Sequence, residues 1–463
     1  MSDDSTTLSL TDTLRRLAAR SSPGDRLPSS RDLVTAHQVS PVTVARAIAR
    51  LAAEGVVVTR PGSGTYVAPR AHAESAIADT AWQAIALTDR SIEADQIPDA
   101  LGPPAEGTIR LDGGYLHRSL QPTNLLASAL ARAARRVDAW DRAPTNGLTA
   151  LRAVFASWVG GGTTAEDVLI TSGGQSALST AFRAIAAPGS PILMESPTYR
   201  GALAAARAAG LRPTPVPIDD AGLRPDLLAE AFTMTGARLL YCQPTFHNPT
   251  GTTLAAERRR EVVQIARAAG AFLVEDDFAR SLGHGGSLPP PLAADDRDGT
   301  VVYLTSLTKP AAPSMRIGAI VARGPVMRRL QAVRRVDDFF VARPLQEAAL
   351  ELLGSPSWER HAKTLSRALR QRCALAAASV TVARPEWTVP GIPAGGLHLW
   401  IRLAPGEDDL AVVREARTRG TAVDPGRSAF PAEAPGAYVR LAFAAAADET
   451  ELKEGIRRLA GDG

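Results

Sequence analysis

Apolar positions divide the chain before any single residue draws notice. In "SLTDTLRRLAAR", Leu10, Leu14 and Leu17 recur at helical spacing and predict a first helix. In "GDRLPSSRDLVTAHQ", Pro28 and Ser29 mark a second helix start, with Leu33 turned toward a core. A third helix follows in "PVTVARAIARLAAEG", where Ser40 is a natural N-cap and Pro41 suits the first turn. Val44, Ile48 and Leu51 line one face of it, and the other face is expected to present Thr43 and Arg46. "GVVVTRPGSGTYV" then alternates around a Gly-rich turn, which predicts a β-hairpin.

Two helices joined by a tight turn and followed by a hairpin predict a winged helix-turn-helix module over 8–70. Periodicity weakens over 71–108, which reads as a linker with a helix around "ESAIADTAWQAIAL". From 109 to 463, short apolar runs alternate with helical stretches. "DVLITS", "PILMES", "ARLLYCQP", "AFLVEDD", "TVVYLTS" and "IGAIVA" are the strand candidates, and "QSALSTAFRAIA" and "LAAERRREVVQIARAAG" are helical. Such alternation predicts an α/β domain whose mainly parallel central sheet is covered on both faces.

Composition narrows the class. No run of 18 or more apolar residues occurs, and the first residues lack a basic segment leading into an apolar one. Neither a membrane span nor a signal peptide is expected, and the protein is expected in the cytoplasm. Two cysteines, Cys242 and Cys373, are too few for a disulfide framework or a cysteine zinc site, and no metal is expected. A formal charge of +4 permits an anionic polymer as partner without demonstrating one. The chain has 52 Lys and Arg together, yet lysine stands only at Lys309, Lys363 and Lys453. Lys309 lies in "SLTKPAAPSMR", between a strand and a proline-broken loop. Arginine serves for surface charge elsewhere, but it cannot lose a proton and form an imine.

Other candidates fall mostly at predicted strand ends, where open α/β sheets bind ligands. "TSGGQSAL" starts a helix, so Gly174, Gln175 and Ser176 can cradle a phosphate. "ESPTYRG" offers Tyr199 to a ring face, and "QPTFHNPTG" holds Asn248 in a Pro-bracketed loop. "LVEDDF" sets Asp276 and Asp277 at the tip of an apolar strand, and "SLTKPAAPSMR" adds Ser306, Thr308 and Arg316 to the lysine. An amine, a carboxylate, phosphate donors and an aromatic face are what pyridoxal 5′-phosphate requires of a protein. In the first module, Arg31, Thr43 and Arg46 are candidates for base edges or phosphates. Arg60 and Gly62 belong to a wing that can approach a backbone or minor groove.

"LPSSRDL", "VSPVTVARAIARLAAEG" and "RPGSGTYV", in this order, resemble the GntR-type winged helix domain. The family often has arginine where this chain has Pro41, which bears on base preference. The segments of 109–463 resemble the fold type I, aspartate aminotransferase-like proteins, with Lys309, Pro313, Arg316 and Gly318 at the family's spacing. That resemblance implies that Lys309 is the Schiff-base lysine, that Asp276 partners the ring nitrogen, and that Asn248 bonds the phenolic oxygen. It assigns Arg316 to the phosphate and, through "YVRLAFA", Arg440 to a substrate or effector carboxylate. Phe278 replaces a common tyrosine and removes one donor to the phenolic oxygen.

Together the parts resemble the MocR family of bacterial regulators. The resemblance implies a homodimer with each DNA-binding module lodged on the partner subunit, bound to double-stranded promoter DNA. It also implies sensing of pyridoxal phosphate, or of an amine or amino-acid effector, by aldimine exchange at Lys309. Two alternatives stand beside it. One is an active aminotransferase with an autoregulatory DNA-binding module; the other is a regulator with a structural cofactor and no amine effector.

Overall fold

The computed structural model describes residues 3–69, 82–83 and 106–461, and the chain divides into two compact units, Met1–Asp89 and Arg90–Gly463. The linker expected over 71–108, with its helix, lies outside the described residues except at 82–83 and 106–108. Among the described residues, no helix is long and apolar enough to cross a membrane.

The first unit contains helices α1 (Asp3–Arg20), α2 (Ser30–His37) and α3 (Pro41–Ala53) and strands β1 (Val57–Arg60) and β2 (Gly64–Val67). Ser29 and Ser40 cap α2 and α3 by accepting backbone N–H groups of Asp32 and Thr43. Leu14, Leu33, Val44, Ile48, Leu51 and Val57 bury together, and this shared core closes the three helices over the hairpin. Arg15 pairs with Glu54, joining α1 to the residue that ends α3 at 2.8 Å.

The second unit is built on an eight-stranded sheet. Its strands are β4 (Val168–Thr171), β5 (Pro191–Ser196), β6 (Arg212–Asp219), β7 (Gly222–Leu223), β8 (Leu239–Cys242), β9 (Phe272–Asp276), β10 (Val301–Ser306) and β11 (Gly318–Val321). Their order is β4-β11-β10-β9-β8-β5-β6-β7. Strands β5, β6, β8, β9 and β10 run parallel, while β11 runs antiparallel to both β10 and β4. Alternate side chains enter opposite cores: Val301 and Tyr303 on one face, Val302 and Leu304 on the other. The sheet is therefore covered twice, which explains why its strands read as continuous apolar runs.

Strand β6 escapes such a reading because it carries Pro213, Pro215 and Pro217. Their alternation puts all three missing N–H groups on one side, as a strand near the sheet edge allows. The short strands β3 (Ile109–Arg110) and β13 (Thr421–Ala422) pair in parallel. A smaller antiparallel sheet orders β12 (Leu399–Arg402), β15 (Tyr438–Leu441) and β14 (Asp424–Pro425).

The reversed β11 determines what meets at the sheet edge. Gly318 pairs with Ser306 on one side and with Thr171 on the other. The loops leaving β4 and β10 and the loop entering β11 therefore emerge together. Arg316, just ahead of β11, would lie at the far edge if β11 were parallel.

Candidate functional site

A cavity of about 60 Å³ opens at that edge, lined in part by Gly174, Gln175, Tyr199, Asn248, Asp276 and Lys309. Ser306, Thr308 and Arg316 line it as well. Size does not select this site. A wider cleft of about 650 Å³, lined by Trp400, Phe430 and Tyr438, contains neither Lys309 nor Asp276.

Lys309 Nζ donates to the Gly114 carbonyl at 2.6 Å and lies 3.9 Å from the Tyr115 ring centroid. Desolvation lowers its pKa to about 7, and the nearby Arg440 and Arg316 push in the same direction against the pull of Asp276. Asp276 ends β9 and is buried. Its Oδ2 accepts from the Tyr241 hydroxyl at 2.7 Å and from Gln243 Nε2 at 3.1 Å. Burial raises its pKa to about 6, although those two donors oppose the shift. Asp277 turns away, to Arg280 and the Tyr303 hydroxyl.

The other end of the cavity is a donor cradle. Gly173 precedes the helix Gly174–Ile185 with φ 87 and ψ 177, leaving free N–H groups at the helix start. Arg316 itself has φ 43, and its Nη2 donates to the Ser172 carbonyl at 2.8 Å. Ser306 Oγ accepts from the Thr308 N–H at 3.0 Å and lies 2.8 Å from Thr308 Oγ1. Ser176 sits in the first turn of the helix but does not line the cavity. The Tyr199 hydroxyl donates to Gln175 Oε1 at 3.3 Å, and burial lifts its pKa to about 12. Phe278 lines the wall as an apolar surface.

Two glycines show that the space is shaped. A Cβ on Gly173 would stand 3.0 Å from the Arg316 guanidinium carbon, and one on Gly114 would stand 3.3 Å from Lys309 Nζ. A buried carboxylate, a lysine of lowered pKa and an anion cradle in one cavity fit pyridoxal phosphate. When bound, this cofactor supplies an aldehyde that primary amines capture reversibly and a ring that withdraws electrons.

Arg440 lies on β15 beside this cavity. Its Nη1 donates to Asn248 Oδ1 at 3.2 Å and to His398 Nε2 at 3.3 Å. Its Nη2 donates to the Asp112 carbonyl at 3.1 Å and to Asp424 Oδ2. Burial, with Arg440 and Lys309 nearby, holds His398 well below the usual imidazole range, so it is neutral. Sequence reasoning missed Tyr115, Tyr241, Gln243, His398, Arg200 and Asp424. Of these, Tyr241 and Gln243 had a signal, since they flank Cys242 at the end of an apolar run.

In the first unit, Arg31, Arg46 and Arg60 are exposed. Thr43 corrects the expectation: it is buried, and its hydroxyl lies 2.8 Å from Ser40 Oγ. One helical turn carries Thr43 onto Ala47 and two carry it onto Leu51, so it belongs to the inner face. The outer face is Pro41, Val42, Ala45, Arg46, Ala49 and Arg50. In the wing, Gly62 has φ 72, and the Arg60 guanidinium lies 5.0 Å from the Tyr66 ring centroid. A Cβ on Gly64 would meet Arg26 Nε at 2.8 Å, and Arg26, bridged to Tyr66, is a further exposed cation alongside the hairpin.

Comparison with known proteins agrees with both halves. The model for aminotransferase class I and II matches residues 115–459, and that for bacterial regulatory proteins of the gntR family matches 10–67. The pyridoxine biosynthesis transcriptional regulator PdxR of Corynebacterium glutamicum is 32% identical over 78% of this chain and 76% of its own. The transcriptional regulator TauR of Rhodobacter capsulatus is 28% identical over 96% and 93%. Among solved structures, the α-aminoadipate aminotransferase LysN of Thermus thermophilus, complexed with N-(5′-phosphopyridoxyl)-L-leucine, superposes with a TM-score of 0.74. It is 30% identical and covers 80% of this chain and 94% of its own.

Proposed function

Because the chain belongs to the aminotransferase class I and II family and carries a gntR-family DNA-binding domain, we propose that it is a cytoplasmic, MocR-type transcriptional regulator that uses pyridoxal phosphate to sense an amine. One observation carries this reading: a single chain holds both an exposed basic helix face and a cavity that gathers Lys309, Asp276, Asn248 and Arg316.

Lys309 is the anchoring amine, and its pKa of about 7 keeps a large share neutral at physiological pH. Asp276 would serve the ring nitrogen of the cofactor, Asn248 its phenolic oxygen, and Tyr199 its ring face. Arg316, Ser306, Thr308 and the N–H groups of Gly174 and Gln175 would take the phosphate. With the cofactor bound, an effector amine would compete with Lys309, whose Nζ has the Gly114 carbonyl and the Tyr115 face as partners when free. Arg31, Arg46, Arg60 and the Gly62 turn contact promoter DNA.

The regulator acts as a homodimer with each DNA-binding module lodged on the partner subunit. Exposed Val137, Trp140, Val336 and Phe339 support an apolar dimer surface, since Asp138 and Arg343 tie their two segments together. Exchange at Lys309 would reach the DNA only if the dimer has two geometries that differ in effector affinity.

The test is promoter binding by fluorescence anisotropy, with cofactor absorbance followed in the same samples. Amines are expected to shift both signals without sustained keto-acid production. Steady transamination with no change in DNA affinity would sink the sensor reading.

A further inference from the structure

Arg440 is the residue that the aminotransferase resemblance assigns to a carboxylate. In this structure that carboxylate seat is taken by the chain itself. Asp424 and Arg440 are directly opposed across β14 and β15, so the sheet register brings them together rather than a mobile loop. The same Asp424 carboxylate accepts a second guanidinium, Arg200 Nη1, at 2.6 Å. Arg200 comes from the helix that follows β5, so the carboxylate ties the small sheet to that helix. Both Nη groups of Arg440 are fully engaged, as described above.

Space agrees with charge. The void bordered by Arg200, Asn248, Trp400, Asp424 and Arg440 measures about 10 Å³, room for one water at most. An incoming carboxylate would have to compete with the buried Asp424 carboxylate for the two guanidiniums it already pairs with, and stand beside a like charge. The neutral His398 offers it no compensating charge. The Lys309 side of the cavity is roomier and is walled in part by Tyr115, Leu178 and Phe278.

We infer that Asp424 is a specificity-determining residue that occupies the carboxylate seat of Arg440 and restricts the effector to primary amines without an α-carboxylate. This rests on the amine-sensing reading and names the effector class within it. Removing the Asp424 charge frees the two arginines and converts the site to one for α-amino acids.

Two titrations test it. In the first, cofactor-loaded protein is titrated with 2-phenylethylamine and with L-phenylalanine, a pair that differs only in the carboxylate, and the cofactor absorbance band is followed. Wild type is expected to half-saturate with the amine at a concentration at least about ten-fold lower. Asp424→Asn, which keeps the size of the side chain, and Asp424→Ala, which also opens space, should each tighten L-phenylalanine by about ten- to a hundred-fold. Equal or tighter binding of L-phenylalanine by wild type, or an unchanged preference in Asp424→Asn, overturns the proposal.

In the second, cofactor-free protein is titrated calorimetrically with acetate. Wild type should give no binding heat and Asp424→Ala should bind; equal binding by both overturns the proposal. If neither phenyl probe moves the absorbance band, the amine-sensing reading fails, and the acetate result still decides whether Asp424 blocks the carboxylate seat.

Discussion

Replacing Gly173 by alanine tests whether the phosphate cradle is as tightly shaped as its geometry implies. At φ 87 and ψ 177 the residue lies in a region almost closed to side chains, at a cost of about 1–3 kcal/mol for a non-glycine. The new Cβ would stand 3.0 Å from Cζ and Nη2 of Arg316 and 3.1 Å from Nη1. Arg316 has little room to retreat, because Nη2 is bonded to the Ser172 carbonyl and losing that bond costs about 1 kcal/mol more. If only half of this combined penalty falls on the bound state, cofactor affinity drops by about ten-fold. Fluorescence titration of cofactor-free Gly173→Ala with pyridoxal phosphate measures the loss, and titration with inorganic phosphate isolates the cradle. A melting curve beside them separates the local effect from unfolding. A folded variant that binds both ligands within two-fold of wild type would refute the reasoning.

The other predictions concern charge and the DNA-binding face. Lys309 has a lower pKa folded than unfolded, so between about 7 and 10.5 the unfolded chain holds the extra proton. The lysine contribution in cofactor-free protein should therefore favour folding as pH rises through that window, and Lys309→Met should remove this slope in denaturant midpoints. The rate of cofactor capture should likewise rise with pH and level off above about 7, as stopped-flow absorbance can show. Arg46→Ala should weaken promoter binding by about five- to a hundred-fold and flatten its salt dependence, measured by anisotropy at two salt concentrations. Thr43→Val should instead lower thermal stability by about 1 kcal/mol and leave sequence preference unchanged, because its hydroxyl serves Ser40 inside the module.

What the chain disclosed in advance was what short-range patterns encode. Ser40 and Pro41 announced a helix start, and Asp276 stood out because a carboxylate at the tip of an apolar strand is costly without a purpose. Lys309 stood out by scarcity. Thr43 sits one turn before Ala47 and two before Leu51, so the inner face is wider than Val44, Ile48 and Leu51 alone suggest. Tyr115 and Gly114 lie in a loop with no periodicity, so nothing local linked them to a lysine almost two hundred residues away. Asp424 was the hardest to foresee: its partners Arg200 and Arg440 come from a distant helix and a facing strand, and only strand register brings them together.

The row formed by Thr171, Gly318 and Ser306 has a mechanical consequence. Three ladder-bonded strands carry the anion cradle and the lysine loop, so those parts resist deformation as one stiff plate. Arg440 and Asp424 ride on a separate, smaller sheet, tied by an ion pair to Arg200 on the helix that follows β5 rather than to this plate. Compliance is therefore concentrated at that seam. Deuterium uptake by backbone amides should change along β12, β14 and β15 when an amine arrives, while β4, β10 and β11 stay silent.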